Sequence, residues 1–207
     1  MSLNLNLNLN LILNLLGQCE EMRIISGTSK GKKLRPLRGK AIRPTSDRVK
    51  ESIFNILGEE VEGKHVLDLL AGTGNLGIEA LSRGAARAVF VEKEKSAIDF
   101  IKRNLSHCGF DERVHIITGE VERAIRLLHR KEEVFDLIFM DPPYRRGLVQ
   151  KTLDILQTQS TYHEDSILVI EHDRREPLAE SMEGWVLVRE RPFGDTVVSF
   201  IVPSGQR

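Results

Sequence analysis

From residue 65 to residue 171 short, nearly continuous apolar runs alternate with longer stretches whose apolar positions recur every three or four residues. The short runs predict buried strands near 65–70, 88–92, 113–117, 135–140 and 166–171, and the longer stretches predict helices near 75–83, 94–106, 120–129 and 147–158. Strand and helix in alternation predict an α/β fold, with a parallel sheet covered on both faces. The pattern changes at both ends. Past a short helix or turn near 176–183, two strands at about 185–190 and 196–202 are joined by a short link, which suits an antiparallel hairpin. Upstream, Val49, Ile53, Phe54, Ile56 and Leu57 keep helical spacing behind Thr45 or Ser46 as the cap. Earlier still, 23–26 and 32–35 read as a small β-hairpin turned at Gly27 and Gly31, followed by a loop over 38–45.

Length and composition bound this picture. The 207 residues, 41% of them apolar, suit one domain with a small appendage and a full core. Net charge is zero, but residues 22–50 hold ten Lys and Arg against the single acid Asp47, a local +9. A solvated charge run is one explanation of that block. Its interleaving with glycine and proline ahead of the main domain favours a phosphate-binding arm. Two cysteines make no disulfide framework, and the six histidines show no metal-ligand spacing, so no metal is expected and cytoplasmic residence is the default. Residues 1–21 alternate leucine with asparagine, then turn apolar. They lack a basic start and a cleavage site, and are too short and polar for a membrane span. They read as a dispensable extension, with a leader or a docking strand as the alternatives.

Two motifs carry chemistry. The first is the strand His65-Val66-Leu67-Asp68-Leu69 running into Ala71-Gly72-Thr73-Gly74-Asn75-Leu76-Gly77, a G-x-G-x-x-G loop that opens a helix. Glycines there admit a close ligand, and the helix start offers N–H groups. Glu92 ends the next strand, twenty residues past Gly72, and can accept from two ribose hydroxyls; Lys93 follows it. Alone, this is a dinucleotide fingerprint and would support an NAD enzyme. Asp68 tilts the reading, because a carboxylate beside the loop disfavours a pyrophosphate and favours a cation such as an amino acid's ammonium group. S-adenosyl-L-methionine has ribose, adenine and an ammonium, and no phosphate. A strand-end acid bonded to local backbone is the plainer account of Asp68.

The second motif is Asp141-Pro142-Pro143-Tyr144, which closes the apolar run at 134–140. Two prolines stiffen the turn and remove two N–H donors, and the first holds Asp141 out of helix. The Asp141 carboxylate and the Pro142 carbonyl then offer acceptors beside a flat ring, which suits a planar group carrying an NH2. A strand-to-loop exit with Tyr144 as a rim aromatic is the plainer account here.

Together these motifs resemble the class I S-adenosylmethionine-dependent methyltransferases of the amino-methylating group. The chain further resembles the bacterial family that methylates a guanine N2 of 16S ribosomal RNA, of the guanine-966 type. The likeness rests on Met22-Arg23-Ile24-Ile25-Ser26-Gly27, Lys30-Gly31-Lys32-Lys33-Leu34, Ile42-Arg43-Pro44-Thr45-Ser46-Asp47-Arg48-Val49-Lys50-Glu51, Glu79-Ala80-Leu81-Ser82-Arg83-Gly84-Ala85, Val169-Ile170-Glu171-His172 and Phe193-Gly194-Asp195-Thr196, in order over about 22–204.

The resemblance implies a seven-stranded sheet with its last strand inserted antiparallel, and a small basic hairpin at the N-terminus. Three segments follow: an extension over 1–21, an RNA-binding arm over 22–45 and a methyltransferase domain over 46–207. It implies that Gly119 and Glu120 touch adenine, although many relatives have an aspartate where Glu120 stands. The implied substrate is the small ribosomal subunit, met by a monomer. Arg23, Lys30, Lys32, Lys33 and Arg35 would bind RNA, with Arg43, Thr45 and Arg48 nearer the catalytic domain. The rival functions are a DNA adenine-N6 methyltransferase, a small-molecule or protein amine methyltransferase, and a non-catalytic RNA-binding assembly factor. The first has no room here for a target-recognition insert, the second has no use for the basic arm, and the third does not need both motifs.

Overall fold

The computed structural model describes residues 22–34, 46–143, 147–178 and 182–205. Arg35, Arg43, Thr45, Tyr144 and residues 1–21 lie outside the described residues. The main chain runs α1 (Asp47–Leu57), β1 (His65–Leu69), α2 (Asn75–Ser82), β2 (Arg87–Glu92), α3 (Lys95–Cys108), β3 (Val114–Thr118), α4 (Val121–Arg130), β4 (Phe135–Met140), α5 (Leu148–Thr158), β5 (Tyr162–Asp173), β6 (Trp185–Phe193) and β7 (Thr196–Pro203). The seven strands form one sheet in the order β3-β2-β1-β4-β5-β7-β6. Strands β1 to β5 pair in parallel, and β7 enters antiparallel between β5 and β6. That is the expected topology, terminal inserted strand included.

Strands β1, β2 and β4, at the centre of the sheet, are buried on both faces, which is why they lack a polar side. Val66, Phe90, Leu137 and Phe139 pack against α1, α2 and α3. Leu67, Val89, Val91 and Ile138 pack against α4 and α5. Ser46 caps α1 by accepting the Val49 N–H at 3.3 Å. Strand β5 is longer than the apolar pattern predicts. Its first residues are polar, and they join β4 through an irregular register in which the Ser166 hydroxyl donates to the Phe135 carbonyl at 2.8 Å.

The basic N-terminal segment is part of this core. Residues 22–34 form a tight turn closed by an antiparallel bridge between Arg23 and Lys33. The Ile24 N–H donates to the Lys32 carbonyl, and the Leu34 N–H to the Met22 carbonyl. Met22, Ile24 and Leu34 are buried with α1 and α2. Gly27 has φ +83°, and a Cβ there would stand 1.8 Å from the Ser82 carbonyl oxygen, so only glycine lets the turn lie on α2. Among the described residues no helix is long and apolar enough to cross a membrane.

Candidate active site

The order β2-β1-β4 places a switch point beside β1, the position where open α/β sheets bind ligands at their carboxyl ends. The chain leaves β1 through Leu70, whose φ of 60° is uncommon for a residue with a side chain. The Ala71 N–H donates to the Val91 carbonyl at 2.9 Å, and the Gly74 N–H to the Ala71 carbonyl at 2.6 Å. Thr73 is buried. Gly74, left-handed at φ 72°, opens α2. The third glycine serves packing, since a Cβ on Gly77 would stand 2.4 Å from the Phe90 ring and 3.0 Å from Asp68 Oδ2.

The two acids predicted for the cofactor hold the loop from below. Asp68 is buried, and its Oδ2 accepts the Gly77 N–H at 2.9 Å. Burial pushes its carboxyl up to about 8; the Gly77 hydrogen bond opposes that rise and the charge of Glu92 adds to it. Glu92 Oε2 accepts the Gly72 N–H at 2.8 Å, while Oε1 accepts from the N–H groups of Lys93 and Glu94 at 2.8 and 2.9 Å. The Gly119 N–H donates to the Glu92 carbonyl at 3.0 Å. Lys93 and Glu120, both exposed, form an ion pair of 3.2 Å at the rim. One edge therefore collects the ends of β1, β2 and β3 around the glycine loop.

The second motif emerges from the neighbouring strand. Leu69 pairs with Met140, so Asp141 leaves β4 beside the start of the glycine loop. Asp141 is half-buried, Pro142 buried and Pro143 exposed. A cleft of about 110 Å³ opens next to them, walled by Gly147 and Leu148 at the start of α5 and by His172 and Asp173 at the end of β5.

The family model for conserved hypothetical protein 95 matches residues 22–202. The chain belongs to the conserved hypothetical protein 95 family. It is 39% identical over 184 residues to the Bacillus subtilis protein YlbH, covering 89% of this chain and 100% of that one. YlbH is named as a putative rRNA methyltransferase. The ribosomal RNA small subunit methyltransferase D of Haemophilus influenzae is 32% identical over 180 residues, covering 87% of this chain and 92% of its own. The solved structure of Escherichia coli YhhF, named a methyltransferase on the same provisional footing, superimposes with a TM-score of 0.79 at 28% identity, covering 90% of this chain and 99% of that one. The fold is the class I methyltransferase fold.

In this member of the conserved hypothetical protein 95 family, the basic residues divide. Lys30, Lys33 and Arg48 are exposed. The Arg23 side chain donates to Asp47 at 2.9 Å, and Lys32 Nζ to the His107 carbonyl at 3.4 Å. Lys50 corrects the picture of a wholly solvated basic block, because it is fully buried. Its Nζ donates to the Arg23 carbonyl and, at 2.7 Å, to Asn75 Oδ1, with Glu79 Oε2 3.5 Å away. Burial lowers the Lys50 ammonium's pKa, and Glu79 and Asp47 oppose the shift. Glu79 also accepts the Ile25 and Ser26 N–H groups and the Arg83 side chain.

The side chain of Asn75, expected at the cofactor, is thus turned to Lys50. The signal for this network was in the sequence: Lys50, Ile53, Phe54 and Leu57 share the buried stripe of α1, and a lysine there needs partners. Leu70 left no such signal, since leucine does not announce a left-handed backbone. Among the described residues no cluster of His, Cys, Asp and Glu could hold a metal ion.

Proposed function

We propose that this protein transfers the methyl group of S-adenosyl-L-methionine to the exocyclic N2 amine of a guanine in the 16S rRNA of the small ribosomal subunit, guanine 966 by resemblance. One observation carries the reading: a glycine loop flanked by Asp68 and Glu92 lies beside Asp141-Pro142 across the β1–β4 pair. Residues 70–77 contain no cation, and the Glu92 carboxylate and the buried Asp68 carboxyl stand beneath them. Such a set offers a pyrophosphate no counter-charge; Glu92 fits ribose hydroxyls, and Asp68 fits an ammonium once it gives up its proton. The rRNA part rests on family membership and on the name of the Haemophilus influenzae relative.

S-adenosyl-L-methionine supplies the methyl as an electrophile whose leaving group is a neutral thioether. Glu92 would take the ribose and Asp68 the ammonium, with Gly119 and Glu120 at the adenine. The chemistry left to the chain is alignment. An amine conjugated to a purine is a poor nucleophile. The Asp141 carboxylate and Pro142 carbonyl would accept its N–H groups and so orient its lone pair for transfer. Tyr144, outside the described residues, would supply the ring on which the base stacks. The product ammonium is acidic, so Asp141 need not be a strong base. The target base leaves its stack to reach this edge, at least cost from a loop or single strand.

Incubation with labelled cofactor and small subunits, naked 16S rRNA or DNA tests the reading. Label should appear as N2-methylguanosine in RNA, and Asp141→Ala should abolish it while cofactor binding and folding persist. Label in DNA adenine, or undiminished transfer by Asp141→Ala, would sink the proposal.

A further inference from the structure

Two family-like stretches take no part in the mechanism above: Glu171-His172 and Phe193-Gly194-Asp195-Thr196. The fold brings them together. Asp173 pairs with Thr196 across β5 and β7, and the Arg174 N–H donates to the Asp195 carbonyl at 2.8 Å. From this junction the chain turns through residues 173–178, and Asp173, Glu176, Pro177 and Leu178 wall the cleft opposite Pro142 and Pro143. The turn is closed locally: the Glu176 N–H donates to the Asp173 carbonyl, and the Arg175 N–H to Asp173 Oδ1, both at 2.9 Å.

His172 stands behind this turn, 2% exposed. Its Nδ1 is 3.0 Å from the Glu176 carbonyl oxygen and 3.2 Å from that of Asp173. Carbonyl oxygens only accept, so Nδ1 carries a hydrogen and donates it to the turn. On the other side Nε2 lies 2.8 Å from the Ser199 hydroxyl, which reaches Glu190 Oε1 at 2.9 Å. The imidazole is therefore held at both nitrogens, with one end on the sheet and the other on the turn that walls the cleft. It adds little surface of its own to the cleft it helps to wall, and its hydrogen bonds go to the turn and to Ser199.

We propose that His172 is a positioning residue for the acceptor base, a clamp that sets the 173–178 turn against Asp141-Pro142-Pro143. The assignment rests on the methyltransferase reading above. It explains why a His–Ser pair, both buried and continued by the exposed Glu190, stands at the acceptor side of the cleft and away from the cofactor loop.

Full-length wild type, His172→Gln and Ser199→Ala are compared with labelled cofactor and small subunits. Ser199→Ala removes a single oxygen and keeps the fold if glutamine is poorly tolerated at 172. Both variants should lose roughly tenfold in kcat/KM for the subunit, the scale of one hydrogen bond removed from a buried site. Calorimetric affinity for S-adenosyl-L-methionine should stay unchanged, and amide exchange at Arg174, Arg175 and Glu176 should quicken. Unchanged kcat/KM with unchanged exchange overturns the proposal, and so does cofactor affinity that falls in step with turnover, the mark of general loosening. Wild type that methylates no RNA defeats the activity reading alone. The exchange then decides the clamp: faster exchange with intact cofactor affinity upholds it, and unchanged exchange overturns it.

Discussion

Lys50 Nζ lies 2.7 Å from Asn75 Oδ1, so a lysine on the buried stripe of α1 holds the first residue of the helix that follows the glycine loop. The same ammonium takes the Arg23 carbonyl, so one buried cation ties the basic N-terminal turn to the cofactor edge.

Lys50→Met should therefore destabilise the fold by about 3–5 kcal/mol, because it leaves the Glu79 carboxylate buried without its lysine. Urea unfolding measures the loss. Adding Glu79→Gln should recover part of it, and affinity for S-adenosyl-L-methionine should fall as the Asn75 end of the loop relaxes. A wild-type midpoint in the single variant would show that the network carries no stability.

Asp68 predicts a pH dependence of definite sign. Its carboxyl ordinarily ionises near 3.8, and burial raises that to about 8 in the folded chain. Between these values the folded chain keeps a proton that the unfolded chain releases, so this group's contribution is full below about pH 4 and is lost as pH rises toward 8. Asp68→Asn should flatten the fall in urea midpoint between acidic and mildly alkaline buffer; an equally steep fall in the variant would exclude Asp68 as its source. If the ammonium of the cofactor pairs with this carboxylate, binding should release a proton and tighten with pH, which calorimetry in buffers of different ionisation enthalpy detects.

Glu92→Ala removes the acceptor of three loop N–H groups together with the proposed ribose contacts. S-adenosyl-L-methionine should bind more weakly by about 1–3 kcal/mol, the scale of hydrogen bonds to a charged group. Calorimetry showing full affinity in both Glu92→Ala and Asp68→Ala would displace the cofactor from this edge.

Neutralising Lys30, Lys32, Lys33 and Arg35 together should weaken RNA or subunit binding and leave cofactor binding alone. Each lost phosphate contact should reduce the log–log salt slope by roughly 0.7–0.9. A slope that does not change, with subunit methylation intact, would return these side chains to the role of a solvated face.

The sheet, its helices and the inserted antiparallel strand were legible in the sequence because periodicity reports burial, and the central strands here are buried on both faces. The glycine loop, Glu92 and Asp141-Pro142-Pro143 were legible as well, because their residue types are tied to backbone demands. What stayed hidden depends on contacts distant in sequence. Asn75 looks like a loop residue until Lys50 arrives from another helix. The polar opening of β5 looks like a loop until β4 supplies its ladder. The basic block resembles a free arm, and nothing in its charge pattern says that Met22, Ile24 and Leu34 anchor it in the core.

That anchoring fixes an order of assembly. The turn at 22–34 is made early in synthesis, yet its partners Glu79 and Ser82 lie 53 to 56 residues further along. Until α2 has been made, these contacts do not exist, and the cations of the turn stand exposed beside three unburied apolar side chains. The head of the domain therefore waits for its middle, because its docking needs the helix that the glycine loop opens.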